Sequence, residues 1–546
     1  MAGFEGHGAQ SGSPSLLDGY KVGRIRIFTD QDRITKDNVI MVLNEALQLH
    51  ALNRQRMAEL FRYDMNQVEL KRKKKFRQDI DIQDFDAIAS QIVEFKLGYN
   101  WGNPILFIYD DEFSEGDEET DKGGEVKKDD TAISYVNKLN ALEHCFDKDQ
   151  ALGRYVEITG IGYQMVGFKR YYDANEDQSP FDLYTLDPMF TFIVYKNDVS
   201  QRPMMGVTYR IDRNGVGYYD CYTDDQIFYV RDRVTIVNDT KQIDGKYLGD
   251  RSGNKNLLGA IPIRECIRSY DRTGVFEKVI PEIDALNILL SDTCNAVSQT
   301  VQTIWWGNDF EFPMDENGQP KKPENGDVVN TRTTPGGHTP IFQALNAEFD
   351  YEGVQEHIAD KRNNILQKCY VPNQVGVGGG STGLAYSMSS GWSAAETVAL
   401  KQENLTRSFK MSILELEIKA IKVMQVYADD HPLMSLKLSD VRPKFTREKT
   451  FDVGTKVNAL ATLLRIGIDG RTAMQSIGLF PDVEQAWNKS RDMIELMQKN
   501  LFTKDDSSMS AESGASDNFK THMQDESDQS SNSPSIGGYN TVREEE

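Results

Sequence analysis

The chain has 546 residues, a formal net charge of −22 from 62 basic and 84 acidic side chains, 39% hydrophobic residues and 10% aromatic ones. This composition excludes fibrous, collagenous and wholly disordered classes, and the length is enough for two to four structural units. No run of about 18 apolar residues occurs, and the N-terminal MAGFEGHGAQSGSPSLLDGY lacks a basic stretch leading into an apolar core, so neither a membrane span nor a secretory signal is expected.

Two segments hold most of the charge. Residues 110–130 carry eleven acids against three lysines, a net of −8, and residues 506–546 carry nine acids against Lys520 and Arg543, a net of −7. Both are poor in large apolar side chains, which predicts a solvated loop in the first case and a disordered acidic tail in the second. Cys145, Cys221, Cys266, Cys294 and Cys369 are odd in number, widely spaced and free of any CxxC pair. That pattern excludes a disulfide framework or zinc site and predicts buried thiols in a reducing compartment.

In chain order, residues 1–32 are Gly/Ser-rich and expected as a flexible extension. Residues 35–60 place Val39, Leu43, Leu47 and Leu60 at helical spacing. KRKKKFR at residues 71–77 is basic enough for a nucleic-acid patch, although a solvated basic face is the plainer reading. Residues 81–112 predict a helix, a turn at Gly102-Asn103-Pro104 and a strand, and residues 131–146 predict another helix. From 154 to 267 the pattern changes to short β segments, YVEITGIGYQMVGF, MFTFIVY, MMGVTYRI, GYYDCYT and QIFYVR among them. An α+β unit with a predominantly antiparallel sheet follows.

Residues 276–306 place Ile283, Leu286, Leu290, Val297, Val301 and Ile304 in one apolar stripe, predicting a helix that runs on to Trp306 with Pro281 in its first turn. A Pro/Gly-rich stretch of turns and short strands comes next, then a second helix over 348–370 with Val354, Ile358, Ile365 and Cys369 on one side. After the glycine-rich QVGVGGGSTGLAYSMSSGW, residues 394–427 predict an extended helix. LSDVRPKFTREKTFD is expected as a strand returning to the main sheet, and the helices beyond it break at 467–470 and Pro481.

The glycine-rich stretch invites a nucleotide reading. A phosphate loop needs GxxxxGK[ST] after a strand, yet no lysine or arginine lies between Lys368 and Lys401 and the preceding element is helical. Ser387, Ser389, Ser390 and Ser393 lack a GxSxG elbow, and the seven histidines show neither HxH nor HExxH spacing. No catalytic, metal or cofactor site is therefore expected.

The order FEKVIPEIDALNILLSDTCNAVSQTVQTIWWGN, a short β-rich insert, IADKRNNILQKCYVPN and GGGSTGLAYSMSSGWSAAETVALKQENLTRSF resembles the portal proteins of tailed bacteriophages, of the type found in siphophages of Gram-positive hosts. RMAELFRYDMNQVEL and IASQIVEFKLGYNWGNPILF resemble that family's N-terminal wing, and LLRIGIDGRTAMQSIGLFPDVEQAW its C-terminal helices; the likeness covers roughly residues 35–500. The resemblance implies a portal fold: a wing of antiparallel sheet and helices over 33–272, stem helices over 273–306 and 347–372, and a small β-rich clip over 307–346. It further implies a tunnel loop over 373–393, a long helix and returning strand over 394–451, and a helical crown over 452–505. Where the family has one Ser-Gly junction before the long helix, both Thr382-Gly383-Leu384-Ala385 and Ser390-Gly391-Trp392-Ser393-Ala394 match, and the second is favoured.

Function follows from the same resemblance. It implies a ring, usually of twelve subunits, at one capsid vertex, through which double-stranded DNA is packaged and ejected without sequence specificity. The clip would dock terminase and later a head-completion or adaptor protein, while the wing would meet major capsid and scaffolding proteins. Location would be the host cytoplasm during assembly and the virion afterwards, with no membrane partner. Gly376, Gly378, Gly379, Gly380, Ser381, Thr382, Gly383, Ser390 and Gly391 would face DNA, and Lys361, Arg362 and Lys368 are candidates for weak phosphate contact. A loop without cations suits DNA that must slide, because each phosphate neutralised by Lys or Arg adds affinity through counterion release. The competing reading is a nucleotide-dependent enzyme using residues 374–392.

Overall fold

The computed structural model describes residues 23–70, 72, 81–109, 128–169, 171–173, 177–237, 240–301, 304–308, 341–345, 350–372, 391–428, 430–447, 453–477 and scattered positions between 483 and 494. The acidic stretch 110–127, most of the expected clip, the glycine-rich stretch 373–390 and the C-terminal tail lie outside the described residues. Two compact units are present, Met1–Arg447 and Glu448–Glu546.

The first unit opens with β1 (Ile27–Thr29), α1 (Val39–Asp64), α2 (Ile88–Trp101), β2 (Leu106–Tyr109), α3 (Lys128–Leu142) and α4 (Cys145–Thr159). Strands follow: β3 (Ile161–Phe168), β4 (Phe181–Leu186), β5 (Thr191–Lys196), β6 (Pro203–Ile211), β7 (Gly217–Tyr222), β8 (Gln226–Val237), β9 (Thr240–Leu248), β10 (Asn254–Lys255) and β11 (Ile263–Ile267). Then come α5 (Ile280–Val301), β12 (Ile304–Asn308), β13 (Ile341–Leu345), α6 (Tyr351–Lys368), α7 (Trp392–Met424), α8 (Pro432–Ser435) and β14 (Val441–Lys444). The second unit contains α9 (Val453–Ile466) and α10 (Gly470–Ile477).

A seven-stranded sheet has the order β1-β5-β6-β7-β8-β10 with β9 also on β8, and β11-β3-β4 form a three-stranded sheet. Apart from the parallel β1–β5 pair, the ladders are antiparallel. Alternation along β6, β7 and β8 turns Val207, Tyr209, Tyr219, Cys221, Phe228 and Val230 inward. They meet Val39, Val42, Leu43 and Ala46 of α1, whose three- and four-residue steps keep one face on the sheet. On the three-stranded sheet, α4 and α7 pack through Leu152, Val156, Ile413 and Leu416.

Several expectations change. The helix expected over 131–146 is broken: α3 stops at Leu142, His144 takes φ 54°, and α4 restarts at Cys145. Residues 155–159, expected as the start of a strand, are its last turn, because Leu152 and Val156 bury at helical spacing. Gly160, at φ 82°, ends it; a Cβ there would lie 2.5 Å from the Arg272 carbonyl oxygen, so the tight exit into β3 needs glycine.

The helix expected to reach Trp306 ends at Val301. Its last aromatic and β-branched residues form β12 instead, paired from Ile304↔Leu345 to Asn308↔Ile341. β14 does not return to the main sheet; it pairs with β2 alone, from Val441↔Tyr109 to Lys444↔Leu106. Pro443 suits such an edge position, since proline has no N–H to give a second neighbour. All five cysteines are free, and four are buried; Cys294 is half-exposed and donates from Sγ to the Asp84 carboxylate at 3.6 Å.

In the second unit, Asp469 accepts the Thr472 N–H at 3.0 Å and caps α10. Ala473, Met474 and Trp487 are buried there.

Candidate functional site

The described elements around the glycine-rich stretch are α5 and α6, the first turns of α7, and α2 beside them. Ile283 and Leu286 of α5 share one apolar cluster with Ile358, Ile365 and Leu366 of α6. Elsewhere on α5, Asn287, Ser291 and Asn295 hydrogen-bond the backbone of an extended segment at Asp86, Asp84 and Ile82. Arg362 of α6 reaches the same segment, its Nε lying 2.8 Å from the Asp86 carboxylate.

α6 ends in a Schellman turn. The Tyr370 N–H donates to the Gln367 carbonyl and the Val371 N–H to that of Leu366, both at 2.9 Å. Tyr370 occupies the left-handed position at φ 56°, where glycine is usual. Its carbonyl accepts a 3.0 Å hydrogen bond from Nζ of Lys96, a side chain of α2 only 2% exposed. Burial pulls the Lys96 ammonium down to about 8, against the opposing pull of the nearby Glu157 carboxylate.

Glu157 is itself a junction. Its carboxylate accepts from Asn100 of α2 at 3.1 Å, Gln402 of α7 at 2.6 Å and Arg268 at 3.0 Å. Full burial of a carboxylate is tolerable because each oxygen is paired.

The start of α7 is held by the same stretch of α2. Gly391 precedes it at φ 87°, and Trp392 lies 5.9 Å, ring to ring, from both Phe95 and Tyr99, which stack on each other at 5.6 Å. The Tyr99 hydroxyl donates to Glu396, and burial with that bond pushes its pKa up. Arg447 closes the group, reaching Glu403 at 2.7 Å and Glu396 at 3.3 Å.

Of the residues singled out in the sequence, Gly376, Gly378, Gly379, Gly380, Ser381, Thr382, Gly383 and Ser390 lie outside the described residues. Gly391 is described, and α7 begins just after it. The three α6 cations do not form one group. Besides Asp86, Arg362 meets Gln91 at 2.6 Å; Lys368 pairs with Glu282 at 2.6 Å; and half-buried Lys361 makes no ion pair among the described residues.

Sequence reasoning missed Lys96. Its signal was present: Ala89, Ile92, Val93 and Lys96 fall on one helical face, so a lone lysine sits in an apolar stripe. Glu157, Glu396 and Arg447 carry no such local mark. Among the described residues, no three His, Cys, Asp or Glu side chains are grouped to hold a metal ion, and no helix is long and apolar enough to cross a membrane.

Solved structures similar to this chain at low identity include two particle necks. One is the neck of an empty GTA particle computed with C6 symmetry, 11% identical, covering 73% of this chain and 91% of that one with a TM-score of 0.32. The other is the neck of a native GTA particle computed with C12 symmetry, 10% identical, covering 78% and 94% with a TM-score of 0.36. No curated protein matches. The family described as phage portal protein, SPP1 Gp6-like, matches residues 47–500. With more than four-fifths of its residues inside that match, the chain belongs to the SPP1 Gp6-like family of phage portal proteins.

Proposed function

We propose that this portal protein assembles as a ring of twelve copies at one capsid vertex, with a central channel through which double-stranded DNA is packaged and ejected. The observation that carries the reading is the family match across residues 47–500. The order of elements inside that match supports it: a long helix, α5; the paired strands β12 and β13; a second helix, α6; a stretch without lysine or arginine; and the 33-residue α7.

In this reading residues 33–272 form most of the wing, α5 and α6 the stem, and the segment between them, with β12 and β13 at its base, the clip. Residues 373–393 are the tunnel loop, 394–451 the long helix and the strand β14 that pairs with β2, and 452–505 the crown. The clip docks terminase and then an adaptor protein; the wing meets major capsid and scaffolding proteins. Assembly takes place in the host cytoplasm, and the finished ring stays at the portal vertex of the virion.

A loop that tracks moving DNA must not hold it. Each added phosphate contact strengthens binding and its salt dependence, and a ring multiplies every side chain by its copy number. The absence of lysine and arginine between Lys368 and Lys401 fits that requirement.

Negative-stain imaging of the purified protein tests the assembly. Rings with a central hole are expected; a stable monomer that hydrolyses ATP would overturn the reading.

A further inference from the structure

The residues that flank the glycine-rich stretch, Tyr370 before it and Trp392 after it, both meet α2, within five residues of one another. At the outgoing end, Lys96 hydrogen-bonds the carbonyl of Tyr370. At the incoming end, Phe95 and Tyr99 pack on Trp392, and Tyr99 donates to Glu396. Beneath both, Glu157 ties Asn100 of α2 to Gln402 of α7.

We propose that the Phe95–Asn100 stretch of α2 is a coupling brace, making the last turn of α6 and the first turns of α7 loosen or tighten as one unit.

The outgoing end is under tension without the brace. Tyr370 sits in left-handed backbone, a conformation that costs an L-residue, so the Schellman turn depends on outside support. Lys96 supplies that support: an ammonium at a helix C-terminus faces both the exposed carbonyls and the negative end of the helix dipole. A buried lysine is costly to place, and Lys96, a residue of α2, is only 2% exposed, so a shift of α2 moves the ammonium with it. The same shift moves the Phe95 and Tyr99 rings against Trp392. Arg362 of α6, bonded to Gln91 one turn earlier, keeps the α2–α6 spacing.

Among the described residues the Lys96 ammonium hydrogen-bonds the α6 end and the Tyr99 hydroxyl hydrogen-bonds α7, which makes the coupling measurable. The coupling does not depend on residues 373–393 facing DNA, so its failure and the failure of the portal reading separate.

Hydrogen–deuterium exchange of the purified full-length protein tests it. Lys96→Met is expected to speed exchange at least threefold in the last turn of α6, and comparably in the first two turns of α7. The reciprocal variant Tyr99→Phe, which removes one hydroxyl and preserves the ring, is expected to speed exchange at Tyr370 and Val371. Acceleration confined to the side each residue contacts would overturn the brace. If Lys96→Met does not fold, Tyr99→Phe alone decides: a change restricted to α7 refutes the proposal, and a change on both sides sustains it.

Discussion

Ser291 and Asp84 exchange two hydrogen bonds: the Ser291 Oγ accepts the Asp84 backbone N–H and donates to the Asp84 carbonyl, both at 3.0 Å. A helix side chain thus serves an extended segment as a neighbouring strand would. The match has a metric reason. Four helical residues rise about 6 Å and two extended residues about 6.6 Å, so Asn287, Ser291 and Asn295 keep step with Asp86, Asp84 and Ile82. Ser291 is fully buried while Asp84 is exposed, so Ser291→Ala removes two hydrogen bonds whose backbone partners can turn to water, and a loss of about 0.5–1.5 kcal/mol is expected in urea unfolding. A change below about 0.3 kcal/mol, the level of an ordinary surface substitution, would count against this account.

Tyr370 offers a test of backbone strain independent of its ring. Its side chain is 47% exposed, so removing the ring loses little packing. Tyr370→Gly is expected to be more stable than Tyr370→Ala by about 1 kcal/mol, because only glycine adopts φ 56° without penalty. Equal stabilities would show that the turn relaxes.

Two buried groups set opposing pH responses. Glu417 of α7 faces Lys410, Asp149 and Glu143, and burial raises its carboxyl from 4.5 to about 7. The folded chain therefore holds a proton that the unfolded chain has lost, and stability falls as pH rises from 4.5 to about 7. His50 of α1, beside the Met189 carbonyl and Arg54, is lowered by burial from 6.5 to about 4, so its contribution rises with pH across that window. Glu417→Gln is expected to expose the rising limb between pH 4 and 6.5 and to raise stability at pH 8 by roughly 1–3 kcal/mol, read from melting curves. A variant less stable than the parent at pH 8 would contradict the burial cost.

The α6 cations divide by their partners. Arg362→Ala breaks the pairs with Asp86 and Gln91 and is expected to lower the melting temperature, whereas Lys361→Ala leaves it nearly unchanged while altering DNA retention in assembled particles. Unchanged DNA content in Lys361→Ala particles would remove Lys361 from the channel.

Adding charge to the glycine-rich stretch gives the opposite test. Ser381→Lys is expected to make DNA release from particles slower and more salt-dependent, since each subunit then offers a phosphate partner. Release identical to the parent at low and high salt would place Ser381 away from DNA.

Local pattern carried much of the fold. The three- and four-residue steps of α1, α5, α6 and α7, and the alternation along β5 to β8, are visible because a buried face imposes its period on neighbouring residues. The missing cations between Lys368 and Lys401 are likewise a property of sequence alone. Where burial is nearly continuous, period fails: residues 155–159 read as strand although they complete α4. Ile304 to Trp306 continue the apolar stripe in sequence, yet they pair with β13.

Only the tertiary structure decided partnership. That β14 pairs with β2, that Arg362 belongs to Asp86, and that Lys96 holds the end of α6 from 274 residues away depend on which surfaces meet, not on adjacent residues. Sequence determined which faces had to be covered, because apolar periodicity is written locally. The fold decided what covers them, because a hydrogen bond or ion pair gains its strength from the low-dielectric surroundings that distant segments create together.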